Sequence, residues 1–303
     1  MLSDLLTTFR LRANIYNNAQ FCGDWLIHEH SQGKTCFHMV TVGRCQMVVP
    51  GVKEYALELG DLVIFPREIP HHMKPWHGSE QTFCELAMFP PNDTRPGTAL
   101  LCGTLEFSHK GFDHLLDALP PVMVIKREHA PWIEPLLTLI RHETVSKDAT
   151  LDEKQADSHV LNRLSELLFF YALQHQTHAP QQTGFLRLFA VDDLQPALSL
   201  MKSQPEKPWT LDALGKACSM SRTKFSQRFK AVSGQTVNEF FTWWRMQLAY
   251  DALQQGQRIT KVAERVGYQS ESAFSRAFKK CFALNPSELY KSNHLTCGEQ
   301  DDL

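Results

Sequence analysis

The chain is poor in the features that mark membrane and secreted proteins. No stretch of its 303 residues approaches the roughly 18 consecutive apolar residues of a membrane span, so no membrane partner is expected. Residues 1–16 contain Asp4 and Arg10 and have no continuous apolar core, so they are not expected to serve as a secretory leader. The eight cysteines (22, 36, 45, 84, 102, 218, 281 and 297) include no Cys-x-x-Cys pair, and reduced thiols in a cytoplasm are expected. Net charge is also nearly absent, at −2. That small value conceals an asymmetry. Residues 196–291 hold 15 Lys+Arg against 7 Asp+Glu, and the rest of the chain holds 16 against 26. A basic C-terminal part beside an acidic N-terminal part suits one module that meets phosphates and one that does not.

One phrase is written twice. Phe225-Ser226-Gln227-Arg228-Phe229-Lys230 recurs as Phe274-Ser275-Arg276-Ala277-Phe278-Lys279 at an offset of 49, and Glu239-Phe240 falls on Glu288-Leu289 in the same register. Each copy follows a short apolar segment and a break. A helix, a turn and a second helix with exposed polar residues, made twice, is a nucleic-acid-reading arrangement. Thr210 and Ser221 are placed to cap the two helices of the first copy, with Asp212 in a first turn and Leu211, Leu214 and Cys218 inward. In the second copy Gly267 supplies a break tolerant of positive φ, and Ser270 caps the helix that follows. Phenylalanines four apart share one face of each second helix and are expected in the core. Arg222, Thr223, Ser226, Gln227 and Lys230 then face outward, as do Glu271, Ser272, Ser275, Arg276 and Lys279. Residues 236–255 read as one helix about 30 Å long. Successive major grooves on one face of B-DNA lie about 34 Å apart, so both second helices reach adjacent grooves from one protomer.

The C-terminal part resembles the AraC/XylS family of bacterial transcription regulators. The residues that carry this are Trp209-Thr-Leu-Asp-Ala-Leu, Met220-Ser-Arg-Thr-Lys-Phe-Ser-Gln-Arg-Phe-Lys, Trp244-Arg-Met-Gln-Leu-Ala, the run Val262 to Lys279, and Asn285-Pro-Ser-Glu-Leu-Tyr. The resemblance implies promoter DNA and RNA polymerase as partners, an effector, a homodimer and a place at the bacterial nucleoid. It marks Thr223, Ser226, Gln227, Glu271, Ser272, Ser275 and Arg276 as base-edge candidates. Arg276 suits guanine and Gln227 suits adenine. Glu271 either accepts from a cytosine amino group or is a solvated acid at a helix start. Arg222, Lys224, Lys230, Lys279 and Lys280 are phosphate candidates, which position without specifying.

Residues 1–16 carry a helical stripe of Leu2, Leu5, Leu6, Phe9 and Leu11. From Phe21 to Phe107 the pattern becomes short apolar runs between turn residues. Residues 25–27, 37–40, 45–49, 55–57, 62–65 and 83–89 are strand candidates of a barrel or jelly roll. Helical periods follow: Trp132, Ile133, Leu136, Leu137 and Ile140, then Val160, Leu161, Leu164, Leu167, Leu168, Tyr171 and Ala172 over residues 152–175. The second helix suits core packing or pairing with a second subunit. The expected fold is α+β with two domains: a cupin-like barrel with flanking helices over 1–180, a linker over 181–191, and two helix-turn-helix units joined by a long helix over 192–303.

Gly60-Asp-Leu-Val-Ile-Phe-Pro66 and His71 resemble the second cupin motif, with Glu68 where a glycine is usual. Cys36-Phe37-His38 stands where a cupin His-x-His lies, and the usual downstream glutamate is missing. Cys36 and His38 share one face of a strand, so with His71 they form a candidate metal set; His28, His30 and His72 are alternatives. The competing reading is a barrel without a metal, and no cofactor is then required. The N-terminal layout (Asp24-Trp25, Gly60-Asp61-Leu62, Pro70-His71, Leu101-Cys102-Gly103) resembles the cupin-type sensor of one AraC subgroup. Cys22 and Cys102 are candidate reactive thiols, and together a candidate regulatory disulfide. The leading function is a sequence-specific transcription regulator, not an enzyme. A metal-dependent cupin enzyme fused to a DNA-binding tail and an architectural DNA binder are the alternatives.

Overall fold

A computed structural model of the chain describes residues 11–29, 33–76, 87–89, 94, 96–107, 113–145, 159–177 and 184–290. It divides into two compact units, one of residues 11–108 and 119–175, the other of residues 1–10, 109–118 and 176–303.

The first unit is built on ten strands: β1 (Leu11–Cys22), β2 (Ile27–Glu29), β3 (Thr35–Val42), β4 (Arg44–Val49), β5 (Lys53–Glu58), β6 (Leu62–Phe65), β7 (His71–Pro75), β8 (Ala87–Phe89), β9 (Thr98–Phe107) and β10 (Met123–Ile125). They form a six-stranded sheet, β10-β6-β3-β9-β1-β8, and a four-stranded sheet, β2-β7-β4-β5. Every pairing is antiparallel. The inner cluster is apolar and includes Trp25, Cys36, Val40, Met47, Leu57, Phe65, Met73 and Leu100. β9 lies between β1 and β3 and is buried along its first eight residues. Its near-continuous apolar run follows from having both faces covered. Phe107 at its end meets Phe169 across 5.6 Å. Gly103 is required by packing, because a Cβ there would lie 2.7 Å from the Phe37 ring and 2.8 Å from the Asn14 carbonyl oxygen. Asp61, at the entry to β6, ties the turn to the segment after β10. Its carboxylate accepts from the Glu58 and Arg127 backbone N–H groups at 2.9 and 3.1 Å and from Lys126 Nζ at 2.5 Å.

The cupin-like two-sheet fold expected from the motifs is present, with three differences of detail. Leu11–Tyr16, taken as the end of a helix, opens β1. Its burial alternates, with Ala13 and Ile15 inward and Arg12 and Asn14 outward, and period two wins over the leucine stripe. The remainder of that expected helix, residues 83–86 and residues 152–158 lie outside the described residues. β7, β9 and β10 are not among the expected strands. Two helices complete the unit, and α1 (Asp113–Asp117) clusters with the other. α2 (Ile133–Val145) buries Ile133, Leu136, Leu137 and Ile140, and α3 (His159–Thr177) buries Leu161, Leu164, Leu168 and Ala172. Val160 and Leu167, expected on the buried stripe of α3, are exposed.

The second unit contains α4 (Gln195–Ser203), α5 (Leu211–Ala217), α6 (Arg222–Ser233), α7 (Val237–Gln254), α8 (Ile259–Arg265) and α9 (Glu271–Phe282), and residues 286–290 are helical again. Residues Phe185–Ala190, placed in the linker by their polar surroundings, form a 3-10 turn with Leu186 and Leu188 fully buried. No helical or strand period announces these two leucines. α7 is one unbroken helix of 18 residues, about 27 Å long.

Candidate nucleic-acid interface and barrel interior

Each recognition helix is set by the same local devices. In the first copy Thr210 Oγ1 accepts from the Ala213 N–H at 3.2 Å and starts α5; Ser221 Oγ accepts from the Lys224 N–H at 3.3 Å and starts α6. In the second, Ser270 Oγ accepts from the Ala273 N–H at 3.3 Å and starts α9. α8 begins at Arg258 with no side-chain cap. The turns differ. The first passes through Ser219 at φ 55°, a left-handed position held by a non-glycine residue, and the second through Gly267 at φ 82°. Both recognition helices end left-handed, at Gly234 and at Ala283, again 49 residues apart. A glutamate cap follows each, reciprocal in the first, where Thr236 Oγ1 also accepts from the Glu239 N–H at 3.2 Å. Glu239 accepts from the Thr236 N–H at 2.8 Å, and Glu288 accepts from the Asn285 N–H at 2.7 Å. These backbone donors hold both carboxyls below the usual carboxylate range.

Phe225, Phe229, Phe274 and Phe278 are wholly buried. The opposite faces are open. Arg222, Thr223, Lys224, Gln227 and Lys230 are exposed on α6, with Ser226 half-buried. Glu271, Ser272, Arg276, Lys279 and Lys280 are exposed on or next to α9, with Ser275 half-buried. Among the described residues Arg222, Lys224 and Arg276 make no ion pair, so their charge is presented outward. Arg228, on the same helix as Arg222, is instead tied to Asp193 at 2.9 Å. Ser270 has its hydroxyl engaged in the cap and lies 3.4 Å from the Ser272 hydroxyl, which makes it a positioning residue for α9. Two capped helices with charged, hydrogen-bonding outer faces, joined by one helix of about 27 Å, can read base edges in two grooves.

The barrel interior brings two of the three metal candidates together. His38 Nε2 and His71 Nε2 lie 2.9 Å apart. His71 Nδ1 donates to the Ile69 carbonyl at 2.8 Å; with His71 neutral, its Nε2 is bare and His38 Nε2–H is the donor. His38 Nδ1 is then an acceptor, buried, with no partner among the described residues. Phe65 stacks on His71 at 4.2 Å and meets His38 edge-on at 6.0 Å. Burial, and after it the neighbouring His71, push His38 down to about 3. Cys36 does not join the pair. It packs in the apolar inner cluster, and no group of three ligating side chains converges among the described residues. Two nitrogens on one tetrahedral zinc stand about 3.3 Å apart, so a 2.9 Å N–H···N contact fits a hydrogen bond better than a shared metal. The expected Cys36–His38–His71 set does not fit a metal. His28 and His72 lie on paired positions of β2 and β7 with rings 5.6 Å apart, and His30 is outside the described residues.

The cysteine pair is also corrected. Cys102 lies opposite His38 on β3, and Asn17 faces it on β1, with Asn17 Nδ2 3.7 Å from its sulfur. Cys22 sits five residues further along β1, about 17 Å away, whereas a disulfide spans at most about 7 Å between Cα atoms. Cys22 and Cys102 therefore cannot bridge while β1 and β9 stay paired. Cys22 is buried and its thiol donates to the Pro96 carbonyl at 2.9 Å. Burial, and after it Asp61, push the Cys45 thiol up to about 12, and burial pushes Cys281 up to about 11. Cys84 and Cys297 lie outside the described residues.

The fold and the paired recognition helices define a DNA-binding regulator with a cupin-type N-terminal domain. Comparison with known proteins agrees. A cupin family model matches residues 1–178, and a helix-turn-helix domain model matches residues 214–292. An uncharacterized HTH-type transcriptional regulator of Haemophilus influenzae is 31% identical, covering 96% of this chain and 98% of that one. A putative AraC-like transcription regulator of Streptomyces lividans is 28% identical over 96% of this chain and 97% of its own length. The RCS-specific HTH-type transcriptional activator RclR of Escherichia coli K12 is 24% identical over 95% of each. The chain belongs to the AraC-like family of helix-turn-helix transcription regulators, with a cupin domain in front of the DNA-binding one.

Sequence reasoning did not assign a role to Arg245, although it falls in the Trp244-Arg pair that helps carry the resemblance; nothing local distinguishes a half-buried structural arginine from a phosphate contact. It grouped His38 with His71 as metal candidates but did not foresee the direct hydrogen bond between them, since two strands from different sheets carry them.

Two outcomes are expected. Arg276→Ala weakens DNA binding by about 1–3 kcal/mol and relaxes one base position, read by binding-site selection with the variant; an unchanged base preference contradicts the assignment. His38 stays neutral in the folded chain down to about pH 3, while in the unfolded chain it protonates below its ordinary 6.5. The unfolded state therefore binds the extra proton between those values, and stability falls as pH drops from 6.5 toward 3, by at most about 1.4 kcal/mol per pH unit. His38→Gln keeps a donor toward His71 and does not titrate, so its thermal midpoint falls less steeply with acid than that of the parent chain. Equal slopes in the two proteins contradict the buried neutral imidazole.

Proposed function

We propose that one protomer reads one promoter segment with both recognition helices, α6 and α9 entering adjacent major grooves. The observation that carries this is the pair of capped helices joined by the single unbroken helix α7. Thr223, Ser226 and Gln227 meet one block of bases, and Glu271, Ser272, Ser275 and Arg276 meet the other. Arg222, Lys224, Lys230, Lys279 and Lys280 neutralise phosphates and set the register. The two faces carry different residues, so the two blocks differ in sequence. The effect on transcription runs through RNA polymerase, as the family implies, and the working form is a homodimer.

The cupin-like unit is the sensor in this reading, and a small-molecule effector is its preferred signal. Burial of Cys22 and Cys102 and the register that separates them disfavour a disulfide switch. An enzymatic role has little support, because no group of three ligating side chains converges among the described residues and the relatives are named as regulators. Among the described residues no helix is long and apolar enough to cross a membrane, and a DNA reader works at the nucleoid in the cytoplasm.

Site selection from a randomised duplex pool with the full chain tests the reading. It is expected to return two unlike blocks about one helical turn apart. A single short block, or no sequence preference at all, contradicts it; the second result is that of an architectural binder.

A further inference from the structure

Near the middle of α7, Arg245 makes a joint that neither helix-turn-helix unit needs for its own core. Its guanidinium lies over the Phe241 ring, one turn back, at 4.1 Å. Nε donates to the Pro205 carbonyl at 2.6 Å, and Nη2 donates to the Lys207 carbonyl at 2.9 Å. Those carbonyls belong to the loop between α4 and α5, on the side of the first reader. That loop is itself folded firmly. The Trp209 indole N–H donates to the Gln204 carbonyl at 3.1 Å, and Lys207 Nζ sits 4.2 Å above the Trp209 ring.

The other side of the joint belongs to the second reader. Gly267 is the left-handed residue of the turn between α8 and α9, at φ 82°. A Cβ there would lie 2.5 Å from the Glu206 carbonyl oxygen and 2.8 Å from Arg245 Nη2. The first reader's loop, the arginine on the connector and the second reader's turn therefore touch at one point. Elsewhere the halves keep separate aromatic cores. Phe225, Phe229 and Phe240 pack with tilted or edge-on rings in the first, and Tyr250, Phe274, Phe278 and Phe282 pack together in the second. The joint adds to the connecting helix, which at 18 residues can bend and twist. A planar guanidinium is well matched to such a joint. Its donors are fixed in a fork that reaches two carbonyls at once, and its face packs on an aromatic ring.

We propose that Arg245 is a specificity-determining residue that touches no DNA: by locking the loop at 204–207 to the turn at Gly267, it sets the one separation and phase at which the two recognition helices meet their blocks. One added base pair moves the second block by about 3.4 Å and about 35°, which a locked pair of readers cannot follow and a loosened pair can. The proposal rests on the two-groove reading given above.

The test uses the full chain, a duplex selected by that chain from a random pool, and two further duplexes with one base pair inserted or removed between the blocks. Dissociation constants are measured at one fixed salt concentration. The parent chain is expected to prefer the selected spacing by at least about tenfold, the size of one mismatched base pair. Arg245→Met keeps the packing on Phe241 and loses both hydrogen bonds; it brings the three affinities to within about threefold of one another. Arg245→Lys, which reaches one carbonyl at a time, loses part of the preference and guards against a Met variant that folds poorly. Variants that weaken all three duplexes by one common factor, leaving the ratio intact, overturn the joint while sparing the two-groove reading. A parent chain with no spacing preference overturns both.

Discussion

The DNA-reading half depends on burying two phenylalanines four residues apart on each recognition helix. Phe225 and Phe229, and Phe274 and Phe278, turn one face of α6 and α9 into the core and leave the opposite face to carry charge and hydrogen bonds. The serine caps at 221 and 270 fix where each helix begins, and hence which residues stand at the end that enters a groove. The caps that Glu239 and Glu288 make on the N–H groups of Thr236 and Asn285 repeat the scaffold at the far end. Nothing in this frame carries sequence information. It holds two different sets of side chains in equivalent positions, and recognition lies in the difference.

The cupin-like unit rests on a different constraint, a strand buried on both faces. β9 pairs with β1 and β3 and is buried from Thr98 to Leu105, so it sets the register of everything beside it. That register separates Cys22 from Cys102. The histidine pair is one of several polar groups buried inside this unit, with Gln20, Thr41 and Asp61 among the others. Its hydrogen bond satisfies one nitrogen of His38 and leaves the other bare, a cost a core accepts only where the imidazole stays neutral.

What could be read from the sequence followed from local physics. Thr210, Ser221 and Ser270 cap where their positions before apolar runs placed them, and the outward face of each helix followed from the spacing of its phenylalanines. The motif at Gly60–His71 carries the cupin resemblance, and the cupin family model matches residues 1–178. The rest needed pairing partners that no short window contains. β1 looked helical because its leading leucines keep a helical stripe up to Leu11, while the alternation that makes it a strand begins only there. Cys36 and His38 share a strand, yet the histidine meets His71 from the other sheet while the cysteine packs in the apolar inner cluster. Leu186 and Leu188 are buried inside a segment whose composition reads as a linker. Arg245 shows the same limit, for its two acceptors lie about forty residues away in a loop.

Guanine N7 methylation interference on a single bound duplex tests the central claim most directly, because it maps major-groove contacts one base at a time. Two interference windows on one face of the duplex, about one helical turn apart and unlike in sequence, are the predicted result for each bound protomer. One window per protomer, or two mirror-related windows that appear only when two protomers bind, would contradict it.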